Sequence, residues 1–518
     1  MNQEKREFHR LAIQAELDAR KSKQERNRLG QFATPTALAQ EMIAFGVTLL
    51  PKNIHIRFLD PAFGTGSFYS ALLEGTPVKR IESAQGFEID PHYGKPARAF
   101  WQDNLLQLTL TDFTRAKSPK EDRVNLLICN PPYVRHHHLV GGEKQRLQKA
   151  CLRASGMNLS GLAGLYCYFL GLSHQWLDEG GIAGWLIPSE FMDVNYGAQV
   201  KQYLLEKVTL LRIHRFDPND VQFNDALVSS AVVWFKKSKP PRDHRVEFTF
   251  GGTHASPAIS RSVSANELHK EPKWTRFPRQ EVRSDIKGAT LSDLFDIKRG
   301  LATGGNEFFI LTRERTMELG LPMKFCRPIL PSPRHLPVNE IYADEQGNPL
   351  IAEPLYLLDC RLPEEVVRTQ YPKLWAYYEQ GRVEMAERYL CQKRSPWYAQ
   401  ENREASPFIC TYMGRGKNGT GHPFRFILNH SSAIVANSYL ALYPKPATQM
   451  LLRADPTLKR KLWEALNEIG KEAMLEEGRV YGGGLYKIEP KELAKVSALP
   501  LLKILKTPTH SDLLVACA

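Results

Sequence analysis

Between about Phe58 and Phe235, short apolar runs alternate with segments of helical length. The runs IRFLDPAF, SAQGFEID, VNLLICN, GIAGWLIP, LLRIHRF and SSAVVWFKK read as strands. Strand and helix alternating at this spacing predict a mostly parallel sheet covered on both faces. Ahead of it, EKREFHRLAIQAELDARKSKQERNR is charged and helix-prone, with only Leu11, Ala15 and Leu17 as a thin apolar face, and predicts an exposed leading helix over residues 1–30. The basic, proline-bearing segment KKSKPPRDHR, Lys236 to Arg245, is expected to mark the outer edge of the sheet. From about residue 286 the pattern changes to short β-type runs (GNEFFIL, SYLALYP), irregular Gly/Pro loops and a helix LKRKLWEALNEI, which predicts a second, α+β domain over 286–518. The first domain proper is then 31–285.

Composition narrows the class. A chain of 518 residues is too long for one ordinary domain. With 42% hydrophobic and 24% charged residues it is folded and core-forming. No apolar run approaches the roughly 18 residues that span a bilayer, and the charged start MNQEKREFHR is unlike a signal peptide, so a cytoplasmic protein without membrane association is expected. The eight cysteines are scattered without a C-x-x-C pair and read as buried thiols. A formal charge of +13, with a basic excess in both halves, points to a polyanionic partner and fits nucleic acid lying between two domains better than it fits one basic tail.

Ligands of an open parallel sheet sit at the carboxyl ends of its strands, and four such ends carry polar groups. The first is FLDPAFGTGSF, where Asp60 closes a strand and Gly64 and Gly66 permit a tight turn into a helix near Ser67. Without Gly-Lys-Ser/Thr this is not a phosphate-cradling loop, and an acid within it suits a cationic or hydroxyl-bearing ligand. The second is GFEIDP, offering Glu88, with Asp90 as a competing candidate. The third is FWQDNLL, offering Asp103. The fourth is LLICNPPYVRHHH, where a buried-looking strand stops at Asn130-Pro131-Pro132-Tyr133; two prolines remove two backbone donors and fix two φ angles, giving a stiff corner. Singly, these are also what helix caps, turns and rigid loops look like. Jointly, four polar groups at successive strand ends converge on one crevice.

The set Asp60-Pro61-Ala62-Phe63-Gly64-Thr65-Gly66, Glu88, Asp103 and Asn130-Pro131-Pro132-Tyr133 resembles the S-adenosylmethionine-dependent N6-adenine DNA methyltransferases. GQFATP, Gly30 to Pro35, is similar to the extra cofactor motif ahead of the glycine loop in their gamma group. CRPILPSPRHLP, NHSSAIVAN and VYGGGLYKIEPKEL resemble the target-recognition domains of Eco57I-type restriction-modification methylases. The resemblance implies a Rossmann-like class I methyltransferase domain plus a C-terminal α+β target-recognition domain. It implies that Glu88 bonds the cofactor ribose, Asp103 its adenine amino group, and the turn Asp60, Pro61, Ala62, Gly64 and Gly66 its methionine end, with Thr34 and Pro35 alongside. It also implies that the Asn130 side-chain oxygen and the Pro131 carbonyl face the amino group of an adenine rotated out of duplex DNA, with Tyr133 and Phe223 against its faces. Double-stranded DNA is the expected partner, with a cognate restriction endonuclease as a possible second.

His136, His137 and His138 do not suggest a metal, because adjacent histidines cannot all converge on one ion; with Arg135 they are expected to follow DNA phosphate. Lys298 and Arg299 in DIKRGLATGGNEFFIL are read as part of a groove-facing hairpin, and Gly482-Gly483-Gly484 as a place of close backbone approach. A methyltransferase of RNA or of protein glutamine amides, a fused endonuclease and a non-enzymatic DNA-binding subunit are the alternatives.

Overall fold

The structure, a computed structural model, describes residues 3–102, 105–139, 141–217, 229–278, 289–415, 422–481 and 484–505. The chain divides into two compact units, 1–283 with 481–483, and 284–480 with 484–518.

The first unit is built on a nine-stranded sheet. Its strands are β1 (Ile56–Asp60), β2 (Ile81–Glu88), β3 (Leu106–Leu110), β4 (Val124–Cys129), β5 (Leu177–Pro188), β6 (Thr209–Arg215), β7 (Ser230–Lys236), β8 (Arg245–Gly252) and β9 (Pro257–Ser264). The spatial order is β3-β2-β1-β4-β5-β7-β6-β8-β9, with β7 and β9 antiparallel to their neighbours. The first seven positions have the order expected of the Rossmann-like sheet, in which the chain order reverses between β1 and β4.

Burial explains the strands. All six residues of β4 are buried, as expected for a central parallel strand covered on both sides. Alternate residues go to opposite faces: Leu127 and Cys129 join one core with Leu59, Ala183 and Trp185, while Leu126 and Ile128 join the other with Phe58, Ile182 and Leu186. The first face is covered by α6 (Gly141–Ser155), α7 (Leu165–Leu172) and α8 (Ala198–Glu206); the second by α3 (Thr36–Thr48) and α4 (Ser67–Gly75).

Two sequence expectations are overturned here. KKSKPPRDHR is not the edge of the sheet, because β8 pairs with β6 beyond it and β9 pairs with β8. The prolines fall in a loop, and the strand that finally closes the edge, PAISRSVS, carries Ser260 and Ser262 exposed. The leading segment is not one exposed helix either. It forms α1 (Gln3–Ala19) and α2 (Lys23–Leu29), the second held by a capping box between Ser22 and Glu25, and α1 packs on α4 and on α5 (Pro91–Phe100) with Arg10 and Leu17 buried.

The second unit holds a five-stranded sheet in the order Phe295–Arg299, Tyr439–Pro444, Phe408–Thr411, Phe426–Asn429, Glu340–Ile341. It also holds a four-stranded sheet, Ile310–Thr312, Leu355–Leu358, Cys326–Leu330, Ile434–Val435. The amphipathic helix Leu458–Asn467 buries Leu458, Leu462, Ala465 and Leu466 against Phe408, Phe426 and Leu440. The hairpin expected from DIKRGLATGGNEFFIL does not form, since Phe295–Arg299 and Ile310–Thr312 lie in different sheets. Lys298 lies over the ring of Tyr443, and Arg299 lies 4.2 Å from the Tyr412 ring centre and donates to the Asn437 carbonyl. Gly482 and Gly483 are outside the described residues. Among the described residues no helix is long and apolar enough to cross a membrane, and every cysteine is a buried free thiol.

Candidate active site

The carboxyl ends of β1, β2 and β4 meet at the chain reversal. β1 pairs with β2 so that Asp60 stands opposite Gly86, and with β4 so that Leu59 stands opposite Leu127. Asn130 therefore begins one step past the same edge at which Asp60 ends its strand.

Asp60 is buried, and its carboxylate accepts from the Ala62 N–H at 3.1 Å. Burial pushes its pKa up to about 8 against that bond, and the charge of Glu88 adds to the rise. The turn that follows is possible because Gly64 and Gly66 take φ values of +57° and +91°. Gly66 is required for a second reason: a Cβ there would sit 2.6 Å from Nε1 of Trp101, which donates to the Thr65 carbonyl at 2.9 Å. A Cβ on Gly64 would meet nothing within 4 Å, so the turn is open on that side.

Glu88 faces the same turn. It accepts from the N–H groups of Gly64 and Asp90, each at 2.8 Å, and burial raises its pKa despite them. A carboxylate has about four acceptor positions, so these bonds leave room for a hydroxyl of a ligand. Asp90 is committed elsewhere, to Lys21, to Gln31 at 2.7 Å and to the His92 N–H at 2.9 Å, which leaves Glu88 as the acceptor aimed at the cup. Next to it Ile89 is 67% exposed, an apolar surface that the sequence reading passed over.

Asp103 lies outside the described residues, and the strand that follows it begins only at Leu106. The carboxylate at the carboxyl end of β3 is Asp112, which caps a short turn by accepting from Thr114 N–H and Oγ1, both at 2.8 Å. The strand LQLTL is only partly buried and lacks the apolar run that marks β4.

At the fourth end Asn130 donates its side-chain NH2 to the Phe32 carbonyl at 2.9 Å and to Thr34 Oγ1 at 3.1 Å. A backbone carbonyl only accepts, so the NH2 group must point toward GQFATP and the side-chain oxygen the other way. The two segments also touch along the backbone: Tyr133 N–H donates to the Gly30 carbonyl at 3.3 Å, and a Cβ on Gly30 would lie 2.3 Å from Tyr133 N. Only glycine, here at φ +66°, allows that approach. Pro131 is buried and Pro132 half-buried, Thr34 is buried and Pro35 exposed. Tyr133 is only 9% exposed, with its hydroxyl donated to the Leu186 carbonyl at 3.0 Å, so most of its ring anchors the corner and only a small part faces outward. Phe223 lies outside the described residues. Arg135, His137 and His138 are exposed.

Asp60, Pro61, Ala62, Gly64, Gly66, Glu88, Thr34, Pro35, Asn130, Pro131, Pro132 and Tyr133 thus lie around one edge of the sheet. The arrangement offers a cup with one buried and one half-buried carboxyl, an exposed apolar side chain and, one strand away, an acceptor oxygen fixed by its own amide.

A family model described as Eco57I restriction-modification methylase matches residues 81–222, and one described as Type II methyltransferase M.Eco57I, C-terminal domain, matches residues 277–514. The Type II methyltransferase M.XamI of Xanthomonas campestris pv. amaranthicola is 24% identical over 479 residues, 90% of this chain and 85% of that protein. The Type II methyltransferase M.AccI of Acinetobacter calcoaceticus is 24% identical over 497 residues, 93% of this chain and 87% of that protein. Among solved structures, that of a DrdV-DNA complex is similar in fold, with a TM-score of 0.50 at 13% identity, covering 86% of this chain and 54% of that one.

Proposed function

The chain belongs to the Eco57I-type restriction-modification methylases, and from that premise we propose that it transfers a methyl group from S-adenosylmethionine to N6 of an adenine extruded from duplex DNA. The observation that carries the reading is the fixed amide of Asn130. Its NH2 is held by Phe32 and Thr34, which turns its oxygen away from them, and that oxygen with the adjacent Pro131 carbonyl would form a pair of acceptors for an exocyclic amino group.

Chemistry requires such a pair. The adenine N6 lone pair is delocalised into the ring, which makes the nitrogen flat and weakly nucleophilic. Two acceptors on its hydrogens draw it toward a tetrahedral shape and aim the lone pair away from them. The prolines keep the Pro131 carbonyl still, so preorganised polarity lowers the barrier without a strong base. S-adenosylmethionine, when bound, supplies a methyl group on a positively charged sulfur. Glu88 would hold the ribose hydroxyls and Ile89 would cover a face of the adenine. Asp103 would accept from the adenine amino group, and Asp60 would face the cationic end. Because the target amine is buried in a duplex, the base has to leave the helix, where Tyr133 and Phe223 would support its faces. The two-unit organisation fits a catalytic domain at 31–285 and a DNA target-recognition domain at 286–518.

The test is transfer of label from methyl-labelled S-adenosylmethionine to duplex DNA, tRNA or a glutamine-bearing protein, followed by nucleoside analysis. N6-methyladenine in DNA is expected. Label in RNA or protein alone would overturn the reading.

A further inference from the structure

The charged N-terminal segment has no part in the reaction just described, yet its best buried residue is a cation. Arg10 on α1 is 1% exposed. A guanidinium taken out of water that completely needs partners, and those of Arg10 lie on separate parts of the cup. It donates to Glu7 at 2.8 and 2.6 Å, to Thr65 Oγ1 in the glycine turn at 3.0 Å, and to Thr36 Oγ1, two residues past Thr34, at 3.5 Å. Glu7 also accepts from Thr36 Oγ1 at 2.6 Å and from Ser70 Oγ, in the first turn of α4, at 2.5 Å. Burial opposes its ionisation, but the bonds from Arg10, Ser70 and Thr36 hold its carboxyl below the ordinary range. Thr65 completes the ring by donating to Gln14 of α1 at 2.7 Å.

A helix held to a surface by apolar contacts can slide without much loss. Directional bonds from a buried ion pair cannot slide, because each displaced donor or acceptor is left without water or partner. The groups fixed in this way are the glycine turn on one side and, through Thr36, the segment whose Phe32 and Thr34 orient Asn130 on the other. We propose that α1 is a strap on the methyl-donor site and that Arg10 is its positioning residue, holding the cofactor turn and the acceptor amide in register. This rests on the reading of the cup as a methyl-donor site. Arg10 itself touches neither base nor cofactor; it acts through Thr65 and Thr36.

The experiment uses the full chain and three variants, Arg10→Lys, Thr65→Val and Gln14→Leu. It measures S-adenosylhomocysteine affinity by calorimetry, kcat and the KM for S-adenosylmethionine on duplex DNA, and the unfolding midpoint without cofactor. Thr65→Val keeps the side-chain shape and removes only the hydroxyl that joins α1 to the turn. Expected is a loss of about tenfold in S-adenosylhomocysteine affinity with a matching rise in KM, measured well below the unfolding midpoint, where every molecule is folded. Wild-type affinity and wild-type kcat/KM in Thr65→Val and Gln14→Leu, whatever their midpoints, would overturn the strap and leave α1 a stabilising helix. Should Arg10→Lys not fold, the other two variants decide the matter. Failure of the wild-type chain to bind S-adenosylhomocysteine would instead defeat the proposed function.

Discussion

Asn130 is the residue on which methyl transfer is expected to depend most. Its NH2 is engaged by Phe32 and Thr34, so replacing it by alanine removes the acceptor without disturbing Glu88 or the glycine turn. Asn130→Ala is expected to lose methyl transfer while binding S-adenosylmethionine within about twofold of wild type, as calorimetry would show; equal loss of both would place Asn130 in the cofactor cup. Thr34→Val removes one of the two bonds that orient the amide and leaves the one to the Phe32 carbonyl, and a fall in kcat of up to about tenfold is expected, the scale of one hydrogen bond. Asp60 gives a pH dependence. Its carboxyl is neutral below about 8 in the cofactor-free fold, whereas a cationic ligand beside it favours the ionised form. Binding then releases a proton, so affinity rises with pH, by up to about tenfold per unit, and levels off above about 8. Calorimetry in two buffers of different ionisation enthalpy measures that proton directly; no proton release at pH 7 would sink the assignment.

Among the elements, the segment from Gly30 to Pro35 and the β4 corner behave as one piece. Gly30→Ala would put a Cβ 2.3 Å from Tyr133 N in a left-handed conformation, and a loss of stability of about 1–3 kcal/mol with a larger loss of kcat is expected. Strands β6, β7 and β8 carry a second prediction. Trp234 Nε1 donates at 2.8 Å to Nε2 of buried His254, which must therefore be neutral, and nearby His214 pairs with Thr249 Oγ1 at 2.9 Å. Burial, then the charge of Arg212, lowers these histidines from 6.5 to about 3 and about 4. Their contribution to stability is complete above pH 6.5 and is lost as the pH falls below it, because the unfolded chain then binds protons that the fold refuses. Denaturant unfolding between pH 7 and 5 should show stability falling by up to about 1.4 kcal/mol per unit for each histidine, less steeply in His254→Gln. An identical slope in that variant would contradict the claim. These elements also show what the sequence could reveal. β4 was legible because six apolar or buried residues end at two prolines. β3 was hidden because LQLTL is only partly buried. The docking of α1 was hidden because its anchor is a buried arginine, which hydrophobic patterning reads as surface.

On the scale of the whole molecule, the alternation of strand and helix was enough for the parallel sheet and the change of pattern near 286 for a second α+β region, while β8 and β9 were missed behind a proline-bearing loop. The net charge of +13 carries its own expectation. Binding to duplex DNA should weaken linearly in log–log terms with salt, with a slope of about −0.9 for each phosphate neutralised. Affinity indifferent to salt would remove DNA phosphate as a partner.

The most direct measurement is base analysis of DNA after reaction with methyl-labelled S-adenosylmethionine, run on the wild-type chain and on Asn130→Ala in parallel. The account predicts label in N6-methyladenine for the first and none for the second, with the cofactor still bound. Label in a methylated cytosine, or full transfer by Asn130→Ala, would contradict it.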